Sequence, residues 1–180
     1  MKRVVHKLFW AWDFEKEEQW LNKMSDMGLQ LSDVSLGRYV FEEGAPGEYK
    51  YKLQMLDNMP NTVESQQYIK FCEETGAEHI ASWMRWVYFR KNSDGKEFEL
   101  FSDIDSRIKH IRGILTFLLV IGIAEFLILL SNLNNLFHYR EPAFVIIVGL
   151  LFVVTMVIIY GAIRMWKSYR KLLKERNLHE

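Results

Sequence analysis

The chain is short of the residues that build a covalent or metal framework. Its one cysteine, Cys72, excludes an intrachain disulfide and any cysteine-rich metal site, a usage that suits a reducing cytoplasm, and on a helix it is expected to fill a small apolar space. Five histidines, His6, His79, His110, His138 and His179, are scattered, and none has a partner at the i, i+4 ligand spacing, so neither a metal nor a cofactor is expected. The sequence has no phosphate-binding loop, nucleophile elbow or paired-cysteine motif; no catalytic residue is assigned, and the reading is of a non-enzyme. The first apolar stretch, Val4 to Trp12, is short and interrupted by His6 and Lys7, so no cleavable signal peptide is expected.

What the chain does have is a pair of long apolar runs, Gly113 to Leu130 and Ala143 to Ile163, around a short polar connection. At 1.5 Å per helical residue they span about 27 and 32 Å, close to the roughly 30 Å hydrocarbon core of a bilayer, and they read as a transmembrane hairpin. The mean hydropathy of −0.09 conceals this, because a polar front part is averaged with an apolar rear part. Charge divides the same way. Residues 1–106 hold 13 Lys and Arg against 19 Asp and Glu, a net of −6, and the remainder holds 10 against 4, a net of +6.

Basic residues gather at the two ends of the hairpin: Arg107, Lys109 and Arg112 precede it, and Arg164, Lys167, Arg170, Lys171, Lys174 and Arg176 follow it, with only Arg140 between the runs. The positive-inside tendency then places both termini in the cytoplasm, and the expected location is the cell (plasma) membrane as a multi-pass protein. Tyr160 and Trp166 are expected at the inner interface, Phe137 and Tyr139 at the outer one. The expected organisation is a cytosolic domain over 1–106, a two-helix hairpin over 107–166 with spans near 113–130 and 143–163, and a basic cytosolic tail over 167–180. Arg164, Lys167, Arg170, Lys171 and Lys174 are expected to contact lipid headgroups.

The front part repeats itself weakly at an offset of 48 residues, which aligns Trp20-Leu21 with Tyr68-Ile69, Met24 with Cys72, Gly28 with Gly76, Phe41 with Phe89 and Gly47 with Gly95. Each copy reads as a strand, a helix closed by glycine, and two strands around a turn. The expected fold class is therefore α+β: a duplicated β-α-β-β unit with both helices on one face of an antiparallel sheet, followed by an α-helical transmembrane hairpin.

In the first copy, Val4 to Trp10 predicts a strand, Asp13 an N-cap, and Trp20, Leu21, Met24 and Met27 one apolar helical face. Gly28 supplies the left-handed helix end, and Leu29 to Val34 and Arg38 to Glu42 predict strands. In the second, Tyr49 to Leu56 is the entering strand, Asn61 with Glu64 resembles a capping box, and Tyr68, Ile69, Phe71 and Cys72 form the apolar face; Glu78 to Trp83 and Arg85 to Arg90 follow as strands. Alternation in the last of these puts Trp86, Tyr88 and Arg90 on one face and Arg85, Val87 and Phe89 on the other. Glu15, Glu17 and Glu18 are expected on a solvated first helical turn.

The run Phe9-Trp10-Ala11-Trp12-Asp13-Phe14-Glu15-Lys16-Glu17-Glu18-Gln19-Trp20-Leu21-Asn22-Lys23-Met24, with Gly28 and Leu31 behind it, resembles the signature of a bacterial family, domain of unknown function two-eight-one-two. Tyr39, Phe41, Pro46-Gly47, Tyr49 and Tyr51 continue the resemblance, and Trp86, Tyr88 and Phe89 are similar to its second aromatic block. At Gly76-Ala77 the chain departs from the Gly-Trp of its relatives. The resemblance implies a membrane-bound partner or sensor for a cytosolic repressor, because family members are often encoded beside PadR-type transcriptional regulators. It carries no catalytic residues over.

Three sets of residues are singled out. Trp10, Trp12, Trp20, Tyr39, Trp83, Trp86 and Tyr88 are many aromatics for so small a domain, and form either its core and a partner surface or a ligand pocket. Glu125 is the one ionisable residue inside an apolar run, a placement that costs on the order of 2.5 kcal/mol or more, so it is expected to face protein or to snorkel outward past Ser131 and Asn132. Gly122, Gly149 and Gly161 would permit close helix contact. The acidic front part disfavours direct nucleic-acid binding and favours a basic protein partner.

The function expected is that of a membrane-anchored regulatory or sensor protein binding a regulator, a PadR-type DNA-binding protein being the partner the resemblance implies. The alternatives are an accessory subunit of a transporter or envelope-stress complex and a small-molecule-sensing membrane protein. Two spans are too few for a pore, so any transport would require a homo-oligomer.

Overall fold

The computed structural model of the chain describes residues 2–93, 98–101, 103–136 and 141–179. It divides into two compact units, Met1–Ser106 and Arg107–Glu180. The first unit contains strand β1 (Lys2–His6), a 3₁₀ turn (Ala11–Asp13) leading into helix α1 (Phe14–Asp26), strands β2 (Leu29–Ser35), β3 (Arg38–Glu43) and β4 (Tyr49–Met55), helix α2 (Val63–Glu74), and strands β5 (Glu78–Trp83) and β6 (Trp86–Asn92).

The strands do not form the single sheet expected from the pattern. They make two three-stranded antiparallel sheets, ordered β1-β3-β2 and β4-β6-β5, each with its last strand in the middle. Edge strands β2 and β5 approach each other while belonging to separate sheets. One β2–β3 register shift falls between Leu31 and Asp33, and one β5–β6 shift between His79 and Ala81, 48 residues later.

Nor do the helices share a face. Leu21 and Met24 of α1 pack with Leu31, Tyr39 and Phe41 of the first sheet and Tyr51, Leu53 and Tyr88 of the second. Ile69 and Cys72 of α2 pack with Val87 and Phe89, on the other side of β6. Tyr88 points one way and its neighbours the other, so β6 is covered on both faces. Phe98 and Leu100 close the edge of the α2 core, and Cys72 is a buried free thiol within it. Burial pushes that thiol upward from its ordinary pKa.

Helix ends correct two local expectations. Asp13 stands at the start of α1 but its side chain makes no capping hydrogen bond; it pairs instead with Lys16 at 2.8 Å. The α2 cap is Thr62, whose hydroxyl accepts from Ser65 N–H, one residue beyond Asn61. Thr62→Ala is therefore expected to lower stability by about 1 kcal/mol, and Asn61→Ala to leave it unchanged, in parallel denaturant titrations. Gly28 and Gly76 end the two helices at φ +78 and +91, conformations costly for any residue with a Cβ. Met27, expected on the buried face of α1, and Phe71, expected on that of α2, are both exposed.

The second unit is built on helices α3 (Ile104–Leu136) and α4 (Pro142–His179), both long and apolar enough to cross a membrane. Helix α4 continues unbroken through the segment expected as a separate tail. In α3 the buried positions Ile108, Ile111, Leu115 and Leu118 recur at the alternating three-and-four spacing of a stripe along one helical face, and in α4 Val148, Thr155, Met165 and Leu172 are buried. Gly122 belongs to the α3 stripe: a Cβ built there would lie 3.1 Å from Ile158 Cγ2. Gly149 has open space around it and supports no close contact. Phe137, Tyr139 and Arg140, assigned to the outer connection, lie outside the described residues, as do His138 and the turn residues Asp94 and Gly95.

Candidate functional site

Helix α1 runs Phe14, Glu17, Glu18, Leu21, Met24 and Ser25 along one buried face. Glu17 and Glu18 are thus 7% and 9% exposed, in place of the solvated turn expected for them. The i, i+3, i+4 spacing from Phe14 and to Leu21 carried that information; their charge argued the other way.

Glu17 Oε1 accepts from the hydroxyls of Tyr39 and Tyr88, each at 2.7 Å. Tyr39 comes from the middle strand of the first sheet and Tyr88 from that of the second, so one carboxylate ties both sheets to α1. Burial raises the Glu17 pKa, with the two tyrosine hydrogen bonds pulling down against it. Burial also raises both tyrosines, and the neighbouring carboxylate adds to it. They remain hydroxyl donors throughout the physiological range.

The next turns of α1 satisfy the outer edge of β4. Glu18 Oε1 accepts from Leu53 N–H at 2.9 Å while Oε2 meets Lys52 Nζ at 3.2 Å. Burial raises the Glu18 pKa, and Lys52 opposes the rise. Asn22 Oδ1 accepts from Tyr51 N–H at 2.8 Å and its Nδ2 donates to Tyr51 O at 3.2 Å. Ser25 Oγ donates to Tyr49 O at 2.7 Å. Three side chains of a helix thus take the place of a further strand, leaving no open edge at β4. Behind them, Tyr51 hydroxyl donates to Gln30 Oε1 at 3.1 Å and accepts from Leu31 N–H at 2.9 Å. A network partnered in this way holds the helix and both sheets together.

The expected aromatic set splits in two. Trp20, Tyr39, Trp83, Trp86 and Tyr88 gather around the core beneath α1. Trp20 meets Tyr39 and Phe41 edge-on at 4.8 and 5.7 Å, Lys7 Nζ stands 4.8 Å from its ring, and Trp83 opposes Trp86 at the end of the β5–β6 ladder. Trp10 and Trp12 form a separate pair, stacked at 5.1 Å and 3°, with Trp12 buried and Trp10 exposed. Glu17, Glu18, Asn22 and Ser25 were not anticipated as the polar counterpart of this set.

In the second unit, Glu125 lies about one turn beyond Gly122 along α3. Its Oε1 is buried without a hydrogen-bond partner among the described residues, and the Thr155 hydroxyl is spent on Leu151 O at 2.9 Å. Lys167, Arg170, Lys171 and Lys174 are exposed along α4 and Arg164 is half-buried; Lys171 lies 3.8 Å from Glu175. Among the described residues no three metal-ligating side chains come together.

A family model described as "Protein of unknown function (DUF2812)" matches residues 13–123, more than half of the chain. No curated protein and no solved structure matches it.

Proposed function

We propose, for a chain that belongs to the DUF2812 family of proteins of unknown function, the role of a membrane-anchored regulatory or sensor protein. The observation that carries the anchor is that the most apolar stretches of α3 and α4 are only 22% and 11% buried by protein, which leaves long apolar faces that lipid would cover. On this reading the helices are a transmembrane hairpin, both termini are cytoplasmic, and Arg164, Lys167, Arg170, Lys171 and Lys174 meet the headgroups. The first unit is a duplicated β-α-β-β element, a reading supported by register shifts that recur 48 residues apart.

The net charge of −6 on that unit favours a basic protein partner, a DNA-binding regulator of the PadR type, held at or released from the membrane. Affinity purification of the full-length protein from its native membrane after mild crosslinking tests this. Enrichment of a DNA-binding regulator that depends on residues 1–106 is expected; absence of any such regulator overturns it.

One observation favours a second reading, an accessory subunit of a transporter or envelope-stress complex: a Glu125 oxygen in α3 that is buried with no hydrogen-bond partner among the described residues. In that case membrane subunits accompany the protein even without residues 1–106, and Glu125→Leu releases them.

A further inference from the structure

Three of the four sheet edges in the first unit have a neighbour. β2 and β5 approach each other, and β4 is met by Glu18, Asn22 and Ser25 of α1. The fourth edge, β1, has β3 on one side, and among the described residues no helix side chain hydrogen-bonds the other. Lys7 N–H donates to Gly37 O at 2.9 Å and extends the β1–β3 ladder. Alternation back from it turns Arg3 and Val5 towards β3 and leaves the N–H and C=O of Lys2, Val4 and His6 outward. Leu56 N–H donates to Arg85 O at 2.8 Å at the same place in the β4–β6 ladder, so Tyr51 and Leu53 are the outward residues there. Counted from these two turns, Lys2 matches Tyr51, Arg3 matches Lys52 and Val4 matches Leu53. Their cover differs: Tyr51 and Leu53 are each 1% exposed, whereas Val4 is 45% exposed.

Helix α2 carries an unused counterpart of the α1 side that meets β4. At the offset of 48 residues, Glu17, Leu21 and Met24 match Ser65, Ile69 and Cys72, and all six are buried. Glu18, Asn22 and Ser25 match Gln66, Lys70 and Glu73, and these three are exposed. The α1–β4 joint is also ionic, with strand cations Lys50 and Lys52 reaching helix carboxylates Asp26 and Glu18 at 3.3 and 3.2 Å. β1 again supplies cations, Lys2 and Arg3, and the end of α2 again supplies carboxylates, Glu73 and Glu74. Lys2 meets Glu42 across an exposed surface, and the Arg3 side chain has no ionic partner among the described residues.

We propose that the outer edge of β1 in one copy docks on the Gln66, Lys70 and Glu73 side of α2 in a second copy, repeating the α1–β4 joint between chains. Gln66 Nε2 already donates to Pro60 O at 2.6 Å, and its Oε1 accepts from Val4 N–H as Glu18 does from Leu53. Lys70, the one cation of α2, stands where Asn22 donates to Tyr51 O, and donates to Lys2 O in the same way. Glu73 and Glu74 meet Lys2 and Arg3, and this charge complementarity selects α2 over a second β1, whose cations would repel. The two surfaces differ, so the contact is head-to-tail and each added copy presents a fresh edge. The inference rests on the duplicated reading of the unit given above, which supplies the match.

Two tagged full-length forms, Val4→Cys and Gln66→Cys, are co-expressed and treated with a short bismaleimide; the native Cys72 is buried in both. A mixed crosslink between the two forms is expected, lost when both carry Arg3→Glu and regained when both carry Arg3→Glu/Glu73→Lys/Glu74→Lys. A crosslink confined to pairs of Val4→Cys copies overturns α2 as the occupant in favour of edge-to-edge pairing, and a mixed crosslink that Arg3→Glu leaves unchanged overturns the ionic match. Amide exchange on the parent protein separates the docking from the reading beneath it. Leu53 is expected to be protected at every protein concentration, and Val4 at high concentration alone. If Leu53 is protected while Val4 exchanges freely throughout and no mixed crosslink forms, the docking falls and the match stands. If Leu53 is itself unprotected, α1 does not close β4, and the match falls with the docking.

Discussion

Glu17→Ala is expected to lower the stability of the full-length protein by about 2–3 kcal/mol at neutral pH, because it strands the hydroxyls of Tyr39 and Tyr88 in a buried site. Glu17→Gln keeps an oxygen where both tyrosines donate and is expected to cost about 1 kcal/mol or less. Denaturant titration followed by tryptophan emission reads the difference, since five of the six tryptophans lie in the first unit. A Glu17→Ala protein as stable as its parent would mean that this carboxylate does not clamp the two sheets.

The pH dependence gives the same site an independent signature. The Glu17 pKa is raised in the folded state above its ordinary 4.5, so the folded protein binds that proton more tightly than the unfolded chain does. The associated stability is fully present below 4.5 and is lost as pH rises through the folded value. Glu17→Gln has no such proton to lose. The gap between variant and parent should therefore move in the variant's favour as pH climbs from below 4.5 to 7. A gap that stays constant over that interval would show that Glu17 titrates alike in both states.

Much of the first unit is legible from periodicity. Alternation and turn residues locate all six strands to within a few residues, and Gly28 and Gly76 close their helices where a left-handed residue is needed. What periodicity does not reveal is which faces meet. Trp86 and Tyr88 against Val87 and Phe89 is a correct division of β6, while Arg85, expected in the strand, lies just before it; yet a strand apolar on both sides fits equally a sheet with helices on one face and a sheet sandwiched between two cores. Partition into two sheets depends on where β2 and β5 stop pairing, a non-local matter with no local signal.

The polar half of the site was missed for a different reason. A glutamate in a first helical turn is ordinarily solvated and favoured by the helix dipole, so composition points outward. The helical spacing of Glu17 and Glu18 with Phe14 and Leu21 points inward, and spacing prevailed, because Tyr39, Tyr88 and the Leu53 amide compensate their desolvation. Asn22 carries no such clue, because its partner is the backbone of a strand that begins 27 residues later. Phe71 marks the opposite error: apolar character alone placed it inward, whereas Ile69 and Cys72 already fill the face of α2 that meets β6.

Asn22→Ala should be the most damaging of the exposed-looking substitutions along α1, at about 3 kcal/mol, because one amide side chain serves both the N–H and the C=O of Tyr51 under a helix that keeps water away. Ser25→Ala removes a hydroxyl that donates to Tyr49 O at 2.7 Å and accepts from Tyr49 N–H at a longer 3.4 Å, and should cost less, about 1–2 kcal/mol. The reason for the difference is the edge itself. β4 has β6 on one side only, and on the other its backbone groups are met by Glu18, Asn22 and Ser25 in turn, each about one helical turn from the last. Losing the middle one opens the ladder at Tyr51 while Leu53 stays held by Glu18. Amide hydrogen exchange on Asn22→Ala is therefore expected to show protection lost at Tyr51 and retained at Leu53. The exposed edge would also offer itself to another strand, so the variant should self-associate more than its parent. Equal exchange at both amides would mean that α1 shields β4 simply by lying on it, and that the side-chain bonds do not hold the edge.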